Sequence, residues 1–313
     1  MKQLIDGHGR RVRKLRLSLT DKCNLRCHYC MPVDATFMDD SAYLSVTDTI
    51  NVIQELSDYG LEELRLTGGE PLMRKGLKEI LEGLSKLPLK KIGLTTNGIL
   101  LDRHLKLLKD NRVHHLNVSL DSLEAGNFQK ITRGNHLPRI LDNLELAKAE
   151  GFNVKVNVVA MRGVNDHELF DFVEYSRRTG FEVRFLEVMR IGHVLDAQAD
   201  QFISARDMIE RLKTRHTLKP VVRENDSTSF NYLLENGAQI GFIASESQAF
   251  CGQCSRWRLS ADGTLRACLM KDDGLTIKNT TPAERDSIYQ ALLGMKPFLR
   301  PVEVTHLMHA IGG

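Results

Sequence analysis

A chain of 313 residues with 43 basic and 40 acidic side chains carries a formal charge of only +3, which excludes a polyanion-coating protein but leaves room for a local basic pocket. Its 42% hydrophobic and 27% charged residues read as a soluble globular chain, long enough for one large barrel or two ordinary domains. No apolar run approaches the ~18 residues of a membrane span, and no apolar stretch follows the basic N-terminus, so no membrane contact, no secretion and, by default, a cytoplasmic location are expected.

Taken along the chain, the pattern alternates strand and helix. Strands are predicted over Arg13–Leu19, Glu63–Thr67, Lys91–Thr96, His115–Leu120, Val154–Ala160 and Glu182–Val188. Ser45-Val-Thr-Asp48 reads as a capping box before a helix over Thr49–Tyr59, and Asn165-Asp-His-Glu168 as another before a helix running to Arg178. Gly60, Gly151 and Gly180 stand where helices stop. After the sixth strand the alternation fades. A capped helix starts at Ser204-Ala-Arg-Asp207, Arg223–Ser229 is polar, Ala261-Asp-Gly-Thr264 forms a hairpin turn, and Thr281-Pro-Ala-Glu284 opens a late helix. Six strand–helix units predict an α/β fold, an incomplete six-stranded parallel barrel whose open side the C-terminal segment closes; a doubly wound open sheet fits the same pattern. The expected division is 1–190 for the barrel and 191–313 for the C-terminal region.

Within the strands, Leu15 and Leu17 oppose Arg16, Leu64 and Leu66 oppose Arg65, Val154 and Val156 oppose Lys155, and Val183 and Phe185 oppose Arg184. If the apolar face packs on helices, four cations share the barrel interior. Unpaired buried cations are too costly to persist, so the interior is expected to be a wet cavity for a polyanionic ligand. An antiparallel sheet with one solvated face would show the same alternation, but the strand–helix order argues against it.

The six cysteines form two groups, Cys23, Cys27, Cys30 and Cys251, Cys254, Cys268. In a reducing compartment such spacings suggest metal centres rather than disulfides. Three thiolates can hold three irons of a 4Fe–4S cluster and leave the fourth open to substrate. The alternative is a zinc knuckle completed by His28.

Cys23-Asn-Leu-Arg-Cys27-His-Tyr-Cys30 resembles the signature of the radical S-adenosylmethionine (SAM) enzymes, and Thr67-Gly-Gly-Glu-Pro71 resembles their Gly-Gly-Glu-Pro segment. Phe250-Cys-Gly-Gln-Cys254-Ser-Arg-Trp-Arg258, Asp262-Gly, Cys268-Leu and the Gly-Gly terminus are similar to the GTP 3′,8-cyclase family, with further matching stretches along nearly the whole chain. The resemblance implies two 4Fe–4S clusters, one per cysteine group, with SAM on the first and the purine of GTP on the second. It implies GTP contacts at Arg16, Arg65, Thr95, Lys155, Arg256 and Arg258, and SAM contacts at Tyr29, Gly69, Ser119 and Met189. It makes Arg184, Gly312 and Gly313 important for activity. The implied reaction starts with reductive cleavage of SAM, continues by abstraction of the ribose 3′ hydrogen and attack of the ribose radical on C8 of guanine, and ends with a reduction that completes the cyclisation, as the first step of molybdenum cofactor biosynthesis. It also implies an electron donor of flavodoxin or ferredoxin type and a functional link to cyclic pyranopterin monophosphate synthase, and is compatible with a homodimer.

Ser255 stands where the family more often has Asn, and the stretch 190–203 departs from the family pattern, which keeps open an altered substrate. A radical SAM enzyme that modifies a peptide, and a zinc-binding regulatory or nucleic-acid-binding module, are the competing readings; the expectation is no nucleic acid. His114 and His115 are expected at the surface, and His306 and His309 outside any metal site. Met161, Met208 and Met308 read as packing residues. Trp257 either packs or stacks, and Glu70 and Asp121 either order the cofactor site or satisfy loop amides.

Overall fold

The computed structural model describes residues 2–191, 199–223, 226–301 and 308–311. Six strands, β1 (Lys14–Ser18), β2 (Glu63–Thr67), β3 (Lys91–Thr96), β4 (Val113–Ser119), β5 (Asn153–Ala160) and β6 (Glu182–Glu187), pair in sequence order, each parallel to the next. The predicted boundaries shift by one or two residues at most. Parallel neighbours need crossovers, and helices supply them: α1 (Val46–Asp58), α2 (Leu77–Leu84), α3 (Leu101–Asp110), α4 (Ala125–Thr132), α5 (Leu137–Ala149) and α6 (Leu169–Thr179). The fold is α/β, a partial barrel of mostly parallel strands.

The C-terminal region extends this sheet at both edges. β9 (Gln239–Ile243) lies parallel beside β6, followed by antiparallel β8 (Phe230–Leu234) and β7 (Leu218–Pro220). β10 (Arg256–Leu259) lies parallel beside β1, followed by antiparallel β11 (Thr264–Arg266) and β12 (Leu275–Thr276). Two further helices, α7 (Ala205–Lys213) and α8 (Pro282–Gly294), belong to this region. Asp226, just before β8, reaches across to the opposite edge. It accepts from the Ser255 hydroxyl and lies 3.2 Å from Lys14 Nζ and 3.6 Å from the Arg13 guanidinium. The two edges of the sheet therefore meet through the C-terminal region.

Strand alternation sets the two faces. Leu15, Leu17, Leu64, Leu66, Ile92, Leu94, Leu116, Val118, Val156, Val183 and Phe185 are buried in one apolar core beneath the helices. Trp257 joins that side, fully buried, its ring 6.2 Å from Tyr289 of α8; it packs and does not stack in the interior. Met161 and Met208 are fully buried, as packing residues should be.

Local signals hold at three helix starts. The Ser45 hydroxyl accepts from Asp48 N, and Ser204 from Asp207 N. Thr281 and Glu284 form a reciprocal capping box with Pro282 in the first turn. Each such cap stabilises its helix by about 1 kcal/mol. Gly60, Gly151 and Gly180 take φ of 90°, 83° and 74°, where a side chain would be strained.

The capping box at Asn165 is corrected by the structure. A 3-10 turn covers Asp166–Glu168, and the Asn165 side chain turns inward, accepting from Met161 N and donating to Asp121 O and Val159 O. Glu168 is fully buried and accepts from Ser122 Oγ, Leu123 N and Asn127 Nδ2. Both residues brace the loop after β4 rather than the helix start. Among the described residues no helix is long and apolar enough to cross a membrane.

Candidate active site

The first cysteine group occupies the loop leaving β1, at the C-terminal end of the parallel strands. Backbone bonds from Arg26 N to Thr132 O and from His28 N to Ile131 O fasten this loop to the end of α4. All three thiols are free and partly buried. Burial, the Cys23 sulfur and the Asp121 carboxylate push Cys30 up to about 12, and burial takes Cys23 to about 11. Three such thiolates are stable together only with a positive centre between them. The Cys23 sulfur already accepts from Leu25 N at 3.4 Å and Asn97 Nδ2 at 3.9 Å, the amide environment a metal-bound thiolate needs.

Among the described residues, the one trio of His, Cys, Asp or Glu ligand atoms within 4.8 Å of one another is Glu124, His167 and Glu168, apart from both cysteine groups.

The neighbouring loops are locked onto this one. Gly69 N donates to Thr20 O, and a Cβ on Gly69 would sit 2.4 Å from Lys22 O, so only glycine fits. Glu70, fully buried, accepts from Thr96 Oγ1, Asn97 N and Leu72 N, which ties the loops after β2 and β3 together; burial outweighs these bonds and raises it to about 7. Tyr29 donates to Asp121 at 2.7 Å, and Asp121 also accepts from Val159 N. Burial raises Asp121 to about 6. Both acids order the site. Ser119 stands at the end of β4 on the inward face, and Met189 packs against the buried pair Ile191 and Met270.

Below this mouth lies a cavity of about 190 Å³ at the N-terminal end of the strands. Its walls include Arg16, Arg65, Lys155, Arg184 and Arg256, together with Lys14 and Lys91, against the acids Glu63 and Asp226. The inward cations of the alternating strands therefore meet in one chamber. Thr95 follows on the same face of β3, opposite Asn117, and Arg258 pairs in register with Arg16. Burial and the surrounding arginines Arg258, Arg256, Arg65 and Arg184 hold Arg16 well below its usual value; burial brings Arg65 and Arg258 down to about 10. Lys155 is paired with Glu182 at 2.7 Å. Arg184 is 7% exposed and its Nε and one terminal nitrogen have no hydrogen-bond partner; one nitrogen of Arg256 is likewise unpartnered. A buried, under-satisfied cationic chamber is one that a polyanion would relieve.

His115 is corrected. It lines this cavity rather than the surface, because β4 starts at Val113 and places residues 115, 117 and 119 inward. Lys91, Lys14 and the segment Asp226–Ser229 are cavity residues that sequence reasoning did not single out. The strand alternation held the signal for Lys91, which shares a face with Gly93 and Thr95. Asp226–Ser229 had none beyond its polarity.

The second cysteine group flanks β10 and β11. Cys251 and Cys254 sit on a 3-10 turn just before β10, and Cys268 follows β11. Burial pushes the Cys254 thiol up, but Arg256 and Lys296 outweigh it and bring it down to about 7. Cys251 is raised, chiefly by burial. Because β10 runs parallel to β1, residues before β10 and residues after β1 lie at opposite ends of the strands. The four residue steps of β1 separate those ends by about 13 Å. The two thiol groups thus stand at the two ends of the same β1–β10 pair, whose inward side chains Arg16, Arg256 and Arg258 are cations. Gly312 and Gly313, residues 192–198 of the variant stretch and His306 lie outside the described residues.

Residues 17–176 match the Radical SAM superfamily and residues 181–296 match Molybdenum Cofactor Synthesis C. A relative from Synechocystis named GTP 3′,8-cyclase is 58% identical, covering 100% of this chain and 95% of its own. Another of that name, from Aquifex aeolicus, is 38% identical over 90% of this chain and 89% of its own. In fold the chain is similar to Streptococcus suis SuiB bound to S-adenosylmethionine, with a TM-score of 0.68 at 12% identity, covering 91% of this chain and 69% of that one. With its signature loop, its glycine-tight second loop and full-length kinship of this order, the chain belongs to the GTP 3′,8-cyclase family of the radical SAM superfamily.

Proposed function

We propose that this enzyme converts GTP to (8S)-3′,8-cyclo-7,8-dihydroguanosine 5′-triphosphate, the first step of molybdenum cofactor biosynthesis. The observation that carries the reading is the under-satisfied cationic chamber at the N-terminal end of the same parallel strands whose C-terminal end carries the first thiol loop. Radical SAM chemistry requires SAM and a 4Fe–4S cluster, and Cys23, Cys27 and Cys30 are the residues to hold that cluster. Together they supply a carbon radical able to take hydrogen from the ribose.

The protein's own part is binding, orientation and exclusion of water. Arg16, Arg65, Lys155, Arg256 and Arg258 hold the triphosphate, with Thr95 as a further contact. Tyr29, Gly69, Ser119 and Met189 hold SAM. Cys251, Cys254 and Cys268 hold a second 4Fe–4S cluster that seats the purine. Arg184, Gly312 and Gly313 serve the reaction itself. We assign 1–190 to the radical SAM barrel and 191–313 to the substrate-seating region, in a cytoplasmic enzyme served by a flavodoxin- or ferredoxin-type donor and supplying cyclic pyranopterin monophosphate synthase. A homodimer is compatible with this assignment.

Anaerobic incubation with GTP, SAM and reductant, followed by mass analysis of the purine product, tests the reading. An isomer of GTP cyclised between ribose and C8 is expected; SAM cleavage that is indifferent to GTP overturns it. Iron analysis should give about eight irons per chain.

A further inference from the structure

Lys296 lies just beyond the end of α8, is 5% exposed and uses its ammonium group fully. Nζ donates to Arg256 O at 2.7 Å, Ala267 O at 3.0 Å and the Cys254 sulfur at 3.5 Å. An ammonium has three donors, and all three are engaged. The two carbonyls flank the β10–β11 hairpin, one two residues after Cys254 and the other next to Cys268. A single side chain thus pins the start of β10 and the end of β11, next to Cys254 and Cys268.

The backbone around Lys296 is fixed in turn. Arg10 donates to Lys296 O, Pro297 O and Cys251 O, so the third cysteine of the group is tied to the same residue. Arg10 is itself neutralised by Asp6 at 2.7 Å. Lys296 has no carboxylate among its described partners. A buried ammonium needs a countercharge, and the group it reaches is a thiolate ligand.

We infer that Lys296 is a positioning residue of the second iron–sulfur site, holding the Cys254 sulfur in ligating position and favouring the reduced state of the cluster. The inference rests on the assignment of Cys251, Cys254 and Cys268 to a second cluster. Its physical basis is that reduction adds negative charge, which a hydrogen-bonded cation beside a ligand sulfur stabilises.

The test uses the full chain, reconstituted anaerobically, with Cys23, Cys27 and Cys30 replaced by Ala so that the first site is silent. About four irons should remain in this background. Their absence would sink the second-cluster assignment itself, separately from the role of Lys296. In the same background Lys296→Met should lower the reduced-to-oxidised ratio at a fixed potential by about tenfold, which is ~59 mV for one electron, read by redox titration with paramagnetic detection. Lys296→Arg should stay within about threefold. Loss of iron in Lys296→Met with retention in Lys296→Arg would also support the role. An unchanged ratio in Lys296→Met, or the same shift or loss in both variants, overturns it.

Discussion

Replacing Arg184 with Met should move stability and substrate binding in opposite directions. In the free protein this guanidinium is buried, has two unsatisfied nitrogens and faces the Arg16 and Arg65 cations, while Glu182, 3.8 Å away, is already paired with Lys155. Removing it deletes a buried cation with two donors that make no hydrogen bond and only the long 3.8 Å contact to Glu182, a relief of about 1–3 kcal/mol. For a chain of this size that corresponds to a rise in Tm of about 2 °C or more. On the proposed function a triphosphate in this chamber would offer the same nitrogens charge-assisted bonds worth about 1.5–3 kcal/mol, so GTP affinity should fall about 10- to 150-fold. Scanning calorimetry of the ligand-free protein and anaerobic titration calorimetry with GTP read the two effects. A lower Tm combined with unchanged GTP affinity would refute the reasoning, because it would make Arg184 a structural cation rather than a substrate-facing one.

Gly69→Ala should abolish SAM binding and lower Tm, since the new methyl group meets the Lys22 and Asp21 carbonyls at 2.4 and 2.5 Å; equilibrium binding of SAM to the reconstituted protein checks it. Asp226→Asn should cost about 1–3 kcal/mol in urea unfolding by loosening the bridge between Lys14, Arg13 and Ser255 across the two sheet edges, with little change at the first cluster. His115 is pushed down to about 4 by burial and by Lys91 and Arg65, so the unfolded chain binds the extra proton first as pH falls below the usual value of 6.5. Stability should therefore decline as pH drops from about 6.5 toward 4, and His115→Asn should flatten that part of a Tm–pH profile; an unaltered slope would exclude His115 as its source.

Much of this architecture is written in short-range patterns. Period-two alternation placed Arg16, Arg65, Lys155 and Arg184 on one face before any coordinates, because a strand's two faces are set by residue parity alone. Hydroxyl caps at Ser45, Ser204 and Thr281 were visible for the same reason: donor and acceptor lie three residues apart. What failed were residues whose partners are distant in the chain. Asn165 and Glu168 look like a cap, yet spend their hydrogen bonds on the loop after β4. His115 reads as a strand flank, although its parity with Asn117 and Ser119 already sets it on the inward face. β9 and β10 carry weak local patterns and become strands through pairing with β6 and β1. Lys296 could not be read from sequence at all, since its three acceptors come from the hairpin 29 to 42 positions away.

The pairing of β10 with β1 also bears on biogenesis. The Arg10–Cys251 contact beside it spans 241 positions. During synthesis the free edge of β1 must wait, unpaired, until nearly the whole polypeptide has left the ribosome. Such late, distant pairing slows folding, and it means that a nascent or truncated chain could mature its first thiol loop while one wall of its cationic chamber was still missing.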